Sequence, residues 1–146
     1  ETSIVLSQVA LEMLAYVELV EVRALHSFKD FKENHDAAER IRALLGHLKI
    51  PAQVPSHLVE LSQMVPSLAG DGPEAMVYIR NRLVHATAKS RGALANITGI
   101  QMFEAAQLGL NYLELVLLAL LSYRGEYARR AWRGWKGEDE IEVPWV

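Results

Sequence analysis

Residues 98–121, TGIQMFEAAQLGLNYLELVLLALL, decide the fold of this chain. Thr98 and Gln101 have the spacing of a capping box, in which each side chain satisfies a backbone N–H of the first helical turn. Apolar residues then recur at intervals of three and four, which is the period of an α-helix. One face carries Ile100, Phe103, Ala106, Leu110, Leu113, Leu117 and Leu120, and Met102, Leu108, Tyr112, Val116 and Ala119 broaden it. A helix that is apolar nearly all round belongs in the middle of a bundle or at a subunit interface.

The first helical segment runs from about residue 3 to residue 33, and the sequence allows a bend near Ser27. Its apolar stripe consists of Leu6, Ala10, Met13, Val17, Val20 and Ala24, and Ile4, Leu11, Leu14 and Leu25 widen it, so contacts on two sides are expected. A second helix begins at Asp36, which has capping-box spacing to Glu39. Pro51 and Pro55 end this helix and form a short loop.

Two more helices complete the pattern. Ser56 is the expected N-cap of the third, which closes at Pro66 and the turn of residues 70–73 and buries Leu58, Val59, Leu61, Met64 and Val65. Pro73 then lies in the first turn of the fourth, a position that proline favours, and Met76, Val77, Ile79, Leu83 and Val84 face the core. Since no segment alternates with a period of two, strands are not indicated. We predict an all-α, up-and-down bundle of four main helices plus one or two short helices.

At 146 residues, the chain is expected to form a single domain over residues 1–146, with an acidic tail at about 137–146. The formal net charge of -3 does not indicate a nucleic-acid partner. The charge is uneven, however, since residues 78–91 carry four basic residues and no acid, and residues 123–136 carry five basic residues against Glu126 alone. These segments are either local attractors for phosphate or solvated helix faces, and charge alone favours the second interpretation.

The chain contains no cysteine, which fits a reducing compartment, and we expect a cytoplasmic protein. Its longest apolar run, Leu115 to Leu121, is far shorter than the about 20 residues that a membrane span needs, so no membrane contact is expected. The chain opens with Glu1 rather than methionine, and we expect a trimmed chain or the C-terminal domain of a longer protein.

The candidate functional residues are Arg80, Asn81 and His85, at the expected end of the fourth helix. A histidine at a helix C-terminus often only interacts with the helix dipole, and arginines on a helix flank are usually solvated. The spacing alone has little value, because Arg40 and Arg42 precede His47 at similar intervals. On one continuous helix, five positions correspond to about 140° of rotation, so the Arg80 and His85 side chains would diverge. A change of backbone direction or a second subunit is needed to bring them to one phosphate.

The Arg80-Asn81-x-x-x-His85 motif on a helical bundle resembles the HEPN superfamily (higher eukaryotes and prokaryotes nucleotide-binding domain). The hallmark of this family is an arginine, a polar residue and a histidine after four to six intervening positions. The segment of residues 123–127 and the Val-Pro-Trp ending also resemble bacterial members, more loosely. The resemblance implies a metal-independent endoribonuclease that acts as a homodimer, with both motifs lining one composite cleft. It also implies a role in toxin–antitoxin systems or antiviral defence, with an antitoxin or an upstream sensor domain as partner.

The residue types fit that chemistry. A histidine can accept the proton of the RNA 2′-OH or deliver one to the leaving 5′ oxygen, which leaves a 2′,3′-cyclic phosphate. An arginine can hold the phosphate and stabilise the charge that develops on it. We therefore assign His85 as general acid/base, Arg80 as phosphate ligand and Asn81 as an orienting residue. No cofactor is expected. Further RNA-binding residues are expected at Arg82, Lys89, Arg91 and Arg124.

The other histidines, His26, His35, His47 and His57, lie on separate segments without metal-ligand spacing, and the chain has no Glu-x-x-His motif, so no metal site is expected. Two alternatives to the nuclease stay open. One is a non-catalytic HEPN module that binds nucleotide or RNA, or mediates dimerisation. The other is a plain helical interaction domain in which the motif is a coincidence.

Overall fold

The computed structural model describes residues 2–68, 70–85, 92, 94–130 and 139–146. The helices are α1 (Thr2–Tyr16), continued by a π-helical segment (Val17–Val22), then α2 (Phe28–Glu33), α3 (Ala37–His47), α4 (Val59–Leu68), α5 (Gly72–Val84) and α6 (Gly99–Leu120). The strands β1 (Glu126–Ala128) and β2 (Glu140–Glu142) pair antiparallel, with Tyr127 opposite Ile141. The predicted all-α class is confirmed. The two-stranded ribbon, which includes part of the expected acidic tail, was not indicated by any alternating pattern.

Both predicted capping boxes are present. At the start of α3, the Glu39 N–H donates to the Asp36 carboxylate at 2.9 Å, and the Asp36 N–H donates to the Glu39 carboxylate at 2.8 Å. At the start of α6, the Gln101 N–H donates to Thr98 Oγ1 at 3.1 Å, and the Thr98 N–H donates to Gln101 Oε1 at 3.0 Å. Local side-chain hydrogen bonds therefore fix where these two helices begin.

The first helical segment bends as the sequence allowed. The π-helical segment ends at Val22, and Ala24 then adopts a left-handed conformation with φ 51°. Ser27 caps α2 by accepting a hydrogen bond from the Asp30 N–H at 3.1 Å. Glu18, buried within the π-helical segment, accepts a hydrogen bond from Arg23 Nε at 2.7 Å. The chain therefore leaves the axis of α1 before residue 27 and starts a new short helix.

The third predicted helix differs at both ends. It begins at Val59 rather than directly after Ser56, and Pro66 lies inside it, two residues before its end. The reason at the N-terminus is a carboxylate from α6: the Leu61 N–H donates to Glu104 Oε2 at 2.7 Å. Glu104 is 3% exposed. A distant side chain therefore supplies the cap that the sequence analysis assigned to Ser56.

The two most apolar helices bury mainly the side that was expected to widen each stripe, and they leave part of each main stripe exposed. The core of α1 contains Ile4, Leu11, Ala15 and, beyond it, Leu19, and that of α6 contains Ala105, Leu108, Tyr112, Leu115 and Val116. The stripe positions Met13 and Phe103 are 64% and 52% exposed. Val59 and Val84, expected in the core, are also exposed. Periodicity cannot select the buried face when both faces are apolar.

A close approach fixes how α5 meets α6. A Cβ on Gly72 would lie 2.0 Å from the Tyr112 hydroxyl oxygen, and one on Gly109 would lie 3.2 Å from Met76 Sδ. Residue numbers therefore rise along α5 as they fall along α6, so the two helices are antiparallel. The C-terminal end of α5 runs toward the N-terminal half of α6.

Two stretches, Thr2–Val22 and Gly99–Leu120, are long and apolar enough to cross a membrane by length and composition. In each, 39% of the most apolar window is buried inside the fold. The central helices of a helical bundle pass the same test, so the length and apolar composition of these two stretches are weak evidence for a membrane span. The absence of a membrane partner stays a prediction.

Candidate functional site

The helix that carries the motif is anchored at its start. The Glu74 N–H donates to the carboxylate of Asp71, the N-cap of α5, and Pro73 occupies the first turn. Arg42 of α3 binds the same carboxylate through two hydrogen bonds, at 2.6 Å from Nε and 3.0 Å from Nη2. The Asp71 carboxylate raises the pKa of Arg42, chiefly through this hydrogen bonding. The residues Arg80 to His85 occupy the opposite end of α5.

Asn81 makes a bond to each of the other two motif residues. Arg80 Nη1 donates to Asn81 Oδ1 at 3.1 Å, and the His85 N–H donates to the Asn81 carbonyl oxygen at 3.1 Å. The Asn81 amide was expected to orient His85. Its side-chain bond instead goes to Arg80, and the bond from the His85 N–H is the ordinary backbone hydrogen bond of an α-helix, which does not depend on the residue type at position 81.

The backbone changes course where the histidine lies. Helix α5 ends at Val84, and His85 is extended, with φ −94° and ψ 106°. The unusual angle is the ψ of His85, which redirects only the chain after it, and the His85 N–H still makes the helical hydrogen bond to the Asn81 carbonyl oxygen. The divergence of about 140° between the starts of the Arg80 and His85 side chains therefore still applies. The His85 side chain is exposed, and Arg80 is half-buried. The chain changes direction only after His85, so the convergence of Arg80 and His85 on one phosphate stays a prediction that requires a second subunit.

Arg80 also has an unused donor. Its Nε is buried and has no hydrogen-bond partner among the described residues. Within that same part of the chain, neither Arg80 nor His85 forms a salt bridge. The end of α5 therefore carries a guanidinium charge that no described acid neutralises, which favours an anionic ligand.

Of the remaining predicted RNA-binding residues, the structure describes Arg82 and Arg124, and Arg124 lies far from the motif. Arg82 folds back on its own helix, where Nη1 donates to the Tyr78 carbonyl oxygen at 3.0 Å and Cζ lies 3.2 Å from the centroid of the Tyr78 ring. Arg124 is exposed just beyond the C-terminus of α6. Because α5 and α6 are antiparallel, Arg124 and His85 lie at opposite ends of the bundle, roughly 30 Å apart at 1.5 Å per helical residue. Lys89 and Arg91 lie outside the described residues.

Two surface cavities lie along the outer side of α6. One, of about 400 Å³, is lined by Ser3 of α1 and by Gly99, Met102, Phe103, Ala106, Gln107 and Leu110. The other, of about 430 Å³, is lined by Glu114, Leu117, Leu118, Leu121, Tyr127 and Ala128. Neither contains Arg80 or His85. Both are mainly apolar, which is typical of a contact surface for another apolar face rather than of an anion site.

The structure corrects one reading of the other histidines. The prediction that His26 and His35 lie on separate segments is wrong, because both imidazoles face the carboxylate of Asp30. A signal was present in the spacing His26-x-x-x-Asp30-x-x-x-x-His35, which brackets one short helix. His47 approaches Glu18 instead, and His57 Nε2 donates to the Arg130 carbonyl oxygen at 3.0 Å, so these two stand apart.

Comparisons with known proteins give one family. No solved structure matches this chain. One relative, described as the SPbeta prophage-derived uncharacterized protein YopA of Bacillus subtilis (strain 168), is 32% identical over 130 residues. That match covers 89% of this chain and 28% of the relative, so the chain spans less than a third of the relative's length. A family model for the YopA C-terminal domain matches residues 1–142. This chain therefore belongs to the YopA C-terminal domain family.

Proposed function

We propose that this chain is a metal-independent endoribonuclease domain of HEPN type that acts as a homodimer. The observation that carries the proposal is the end of α5, where Arg80 donates to the Asn81 side chain, no described acid pairs with Arg80, and His85 is exposed at the C-cap. The exposed imidazole and the unneutralised guanidinium are the two groups that cleavage of RNA without metal requires.

The reaction uses the nucleophile of the substrate. The 2′ oxygen attacks the adjacent phosphorus and loses its proton to a histidine, and the bond from phosphorus to the 5′ oxygen breaks as that oxygen takes up a proton. The products are a 2′,3′-cyclic phosphate and a 5′-hydroxyl. Arg80 stabilises the charge on the phosphate oxygens, and Asn81 holds Arg80 in place. In a homodimer, one His85 acts as base and the other as acid.

The surface of the bundle supports a dimer. Helices α1 and α6 both leave large apolar side chains exposed, namely Leu6, Val9, Met13, Val17, Ile100, Phe103 and Leu117. Ile100 and Phe103 lie in the N-terminal half of α6, which is the half toward which the C-terminal end of α5 runs. A second copy that covers this face would bring two motifs toward one axis. Stable interfaces bury about 800 Å² on each partner, and one extended helix face can supply much of that area.

The relative's description as prophage-derived fits a role in conflict between phage and host, with a cytoplasmic location. As regulator we propose an upstream domain or a separate antitoxin. Arg82, Lys89, Arg91 and Arg124 would add affinity for RNA through counterion release rather than chemistry.

The experiment compares the wild-type chain with His85→Ala and Arg80→Ala on labelled single-stranded RNA in the presence of EDTA. We expect His85→Ala to slow cleavage by about 10²–10⁴-fold, because a general acid–base catalyst is lost. Arg80→Ala should slow it by about 10²–10³-fold, because charge stabilisation is lost. Lys29→Ala removes one exposed charge on α2 and serves as the matched control, with an unchanged rate.

Two outcomes contradict the proposal: cleavage that persists in both variants, or cleavage that needs Mg²⁺. If the wild-type chain binds RNA and Arg80→Ala abolishes binding, but no product forms, the non-catalytic HEPN module replaces the nuclease. If neither binding nor cleavage occurs, the helical interaction domain is the better description.

A further inference from the structure

A second cluster of polar side chains surrounds α2, away from the motif on α5. Asp30 Oδ2 lies 3.5 Å from His26 Nδ1 and 3.9 Å from His35 Nδ1. One ligand-capable atom from each of the three residues lies within 4.8 Å of the others. Two imidazoles and a carboxylate therefore face a common point.

The cluster is held in place by its neighbours. Phe31 is buried, and its ring centroid lies 5.9 Å from the ring centroids of both His26 and His35. Asn34 Nδ2 donates to Asp30 Oδ1 at 2.8 Å, which leaves Oδ2 turned toward the imidazoles. The arrangement is thus built before any ligand arrives, as metal sites with oriented ligands require.

The distances leave room for a shared cation: His26 Nδ1 makes only a long hydrogen bond to Asp30 Oδ2, at 3.5 Å, and His35 Nδ1 lies 3.9 Å from the same oxygen. A charge-assisted bond between an imidazole and a carboxylate is about 2.7–2.9 Å long, shorter than either distance here. Two ligand atoms at about 2.0–2.1 Å from one tetrahedral ion lie roughly 3.3 Å apart, close to both values. His35 Nδ1 also lies 3.3 Å from the Asp30 carbonyl oxygen, a weak hydrogen bond that a bound ion would replace.

We propose that His26, Asp30 and His35 bind one divalent transition-metal ion of the Zn²⁺ type. Imidazole ligands select such ions over Mg²⁺ and Ca²⁺, which prefer oxygen ligands. All three side chains are partly exposed, at 27%, 45% and 23%, so the ion has an entry path and a fourth position open to water. The ion would fasten the turn after α1 to both ends of α2. This proposal does not depend on the proposed nuclease.

The test is isothermal titration of the wild-type chain with ZnCl₂. Saturable binding of one Zn²⁺ per chain is expected, with Mg²⁺ unable to compete. Asp30→Asn should weaken binding by about 100-fold or more, because even outer partners of metal ligands change affinity by about 10–100-fold. Asn34→Ala, which frees the carboxylate, should weaken it by about 10–100-fold. Glu33→Gln, an exposed acid on the same helix, is the matched control and should bind as wild type does.

Far-UV circular dichroism verifies that each variant is folded. A second measurement uses the wild-type chain and so does not depend on whether a variant folds. Co²⁺ is added, and the histidine ring signals are followed by NMR. Selective shifts of two of the five imidazoles, assigned to His26 and His35, support the site. Zinc binding that Asp30→Asn leaves unchanged, no saturable binding by the wild-type chain, or equal broadening of all histidines overturns it.

Discussion

At the scale of single residues, Asn81 and Tyr112 illustrate how one polar group can hold two segments. Asn81 was identified from its place in the motif, but the direction of its amide toward Arg80 could not be read from the sequence. Tyr112 was assigned only to an apolar face. Its hydroxyl reaches 60 positions back along the chain and donates to the Ala52 carbonyl oxygen at 2.7 Å. Local spacing carries no information about such a partner.

Tyr112→Phe tests this bond at two pH values. Burial raises the pKa of Tyr112 above its ordinary 10.0, so the folded chain keeps the hydroxyl protonated. The variant should lose about 0.5–1.5 kcal/mol in the free energy of unfolding at neutral pH. As pH rises above 10, the tyrosine ionises in the unfolded chain but not in the folded chain, which favours unfolding of the wild type alone. The difference between the two proteins should therefore shrink.

Urea denaturation followed by circular dichroism measures both values. The Tyr123→Phe variant is the control, since it removes the hydrogen bond of an exposed hydroxyl, which donates to the Glu126 carbonyl oxygen at 2.9 Å. If the difference in the free energy of unfolding between the wild type and Tyr112→Phe stays constant or widens above pH 10, the hydroxyl is not buried as described.

At the scale of helices, the sequence was most informative where a signal is local. The capping boxes at Asp36 and Thr98 depend on residues three positions apart, and both starts were predicted correctly. The start of α4 was not, because its cap is Glu104, 43 positions away. The inner faces of α1 and α6 were also missed, since each helix is apolar on two sides. The His26–His35 cluster needs the turn around α2, which spacing alone does not determine.

Glu104→Ala tests the distant cap. The change leaves the Leu61 N–H without an acceptor, and a buried unsatisfied donor costs about 1–3 kcal/mol. We expect the free energy of unfolding to fall by that amount. Gln63→Ala changes an exposed residue of α4, the helix that contains Leu61. It should change the free energy of unfolding by less than about 0.5 kcal/mol. Equal effects of the two variants in urea denaturation would exclude a capping role for Glu104.

At the scale of the whole molecule, the proposed function depends on two features, which are the positive charge at the end of α5 and the exposed apolar faces of α1 and α6. The net charge of -3 does not attract RNA, but the end of α5 carries positive charge without a described acid partner. The outer faces of α1 and α6 expose enough apolar surface to indicate a contact with another molecule. The sequence indicated both features in outline, as a basic stretch and as a helix apolar all round. The position of the motif beside the N-terminal half of α6, where Ile100 and Phe103 are exposed, follows from the antiparallel packing of α5 on α6.

Phe103→Asp tests the dimer that the nuclease proposal requires. The wild-type chain should sediment as a dimer at micromolar concentrations, and the charge placed on the outer face of α6 should shift it to the monomer. Leu25→Asp changes an equally exposed apolar residue in the turn before α2 and should leave the dimer intact. A monomeric wild type, or a wild type that associates with lipid vesicles instead of with itself, would contradict this interface.

The most direct measurement of the central claim is the chemistry of the cleaved ends. Single-stranded RNA is incubated with excess wild-type chain in EDTA, and the new termini are identified by mass spectrometry. The account predicts a 2′,3′-cyclic phosphate and a 5′-hydroxyl, both absent with His85→Ala. Intact RNA, or products that end in a 3′-hydroxyl and a 5′-phosphate, would show that Arg80 and His85 do not form a ribonuclease site.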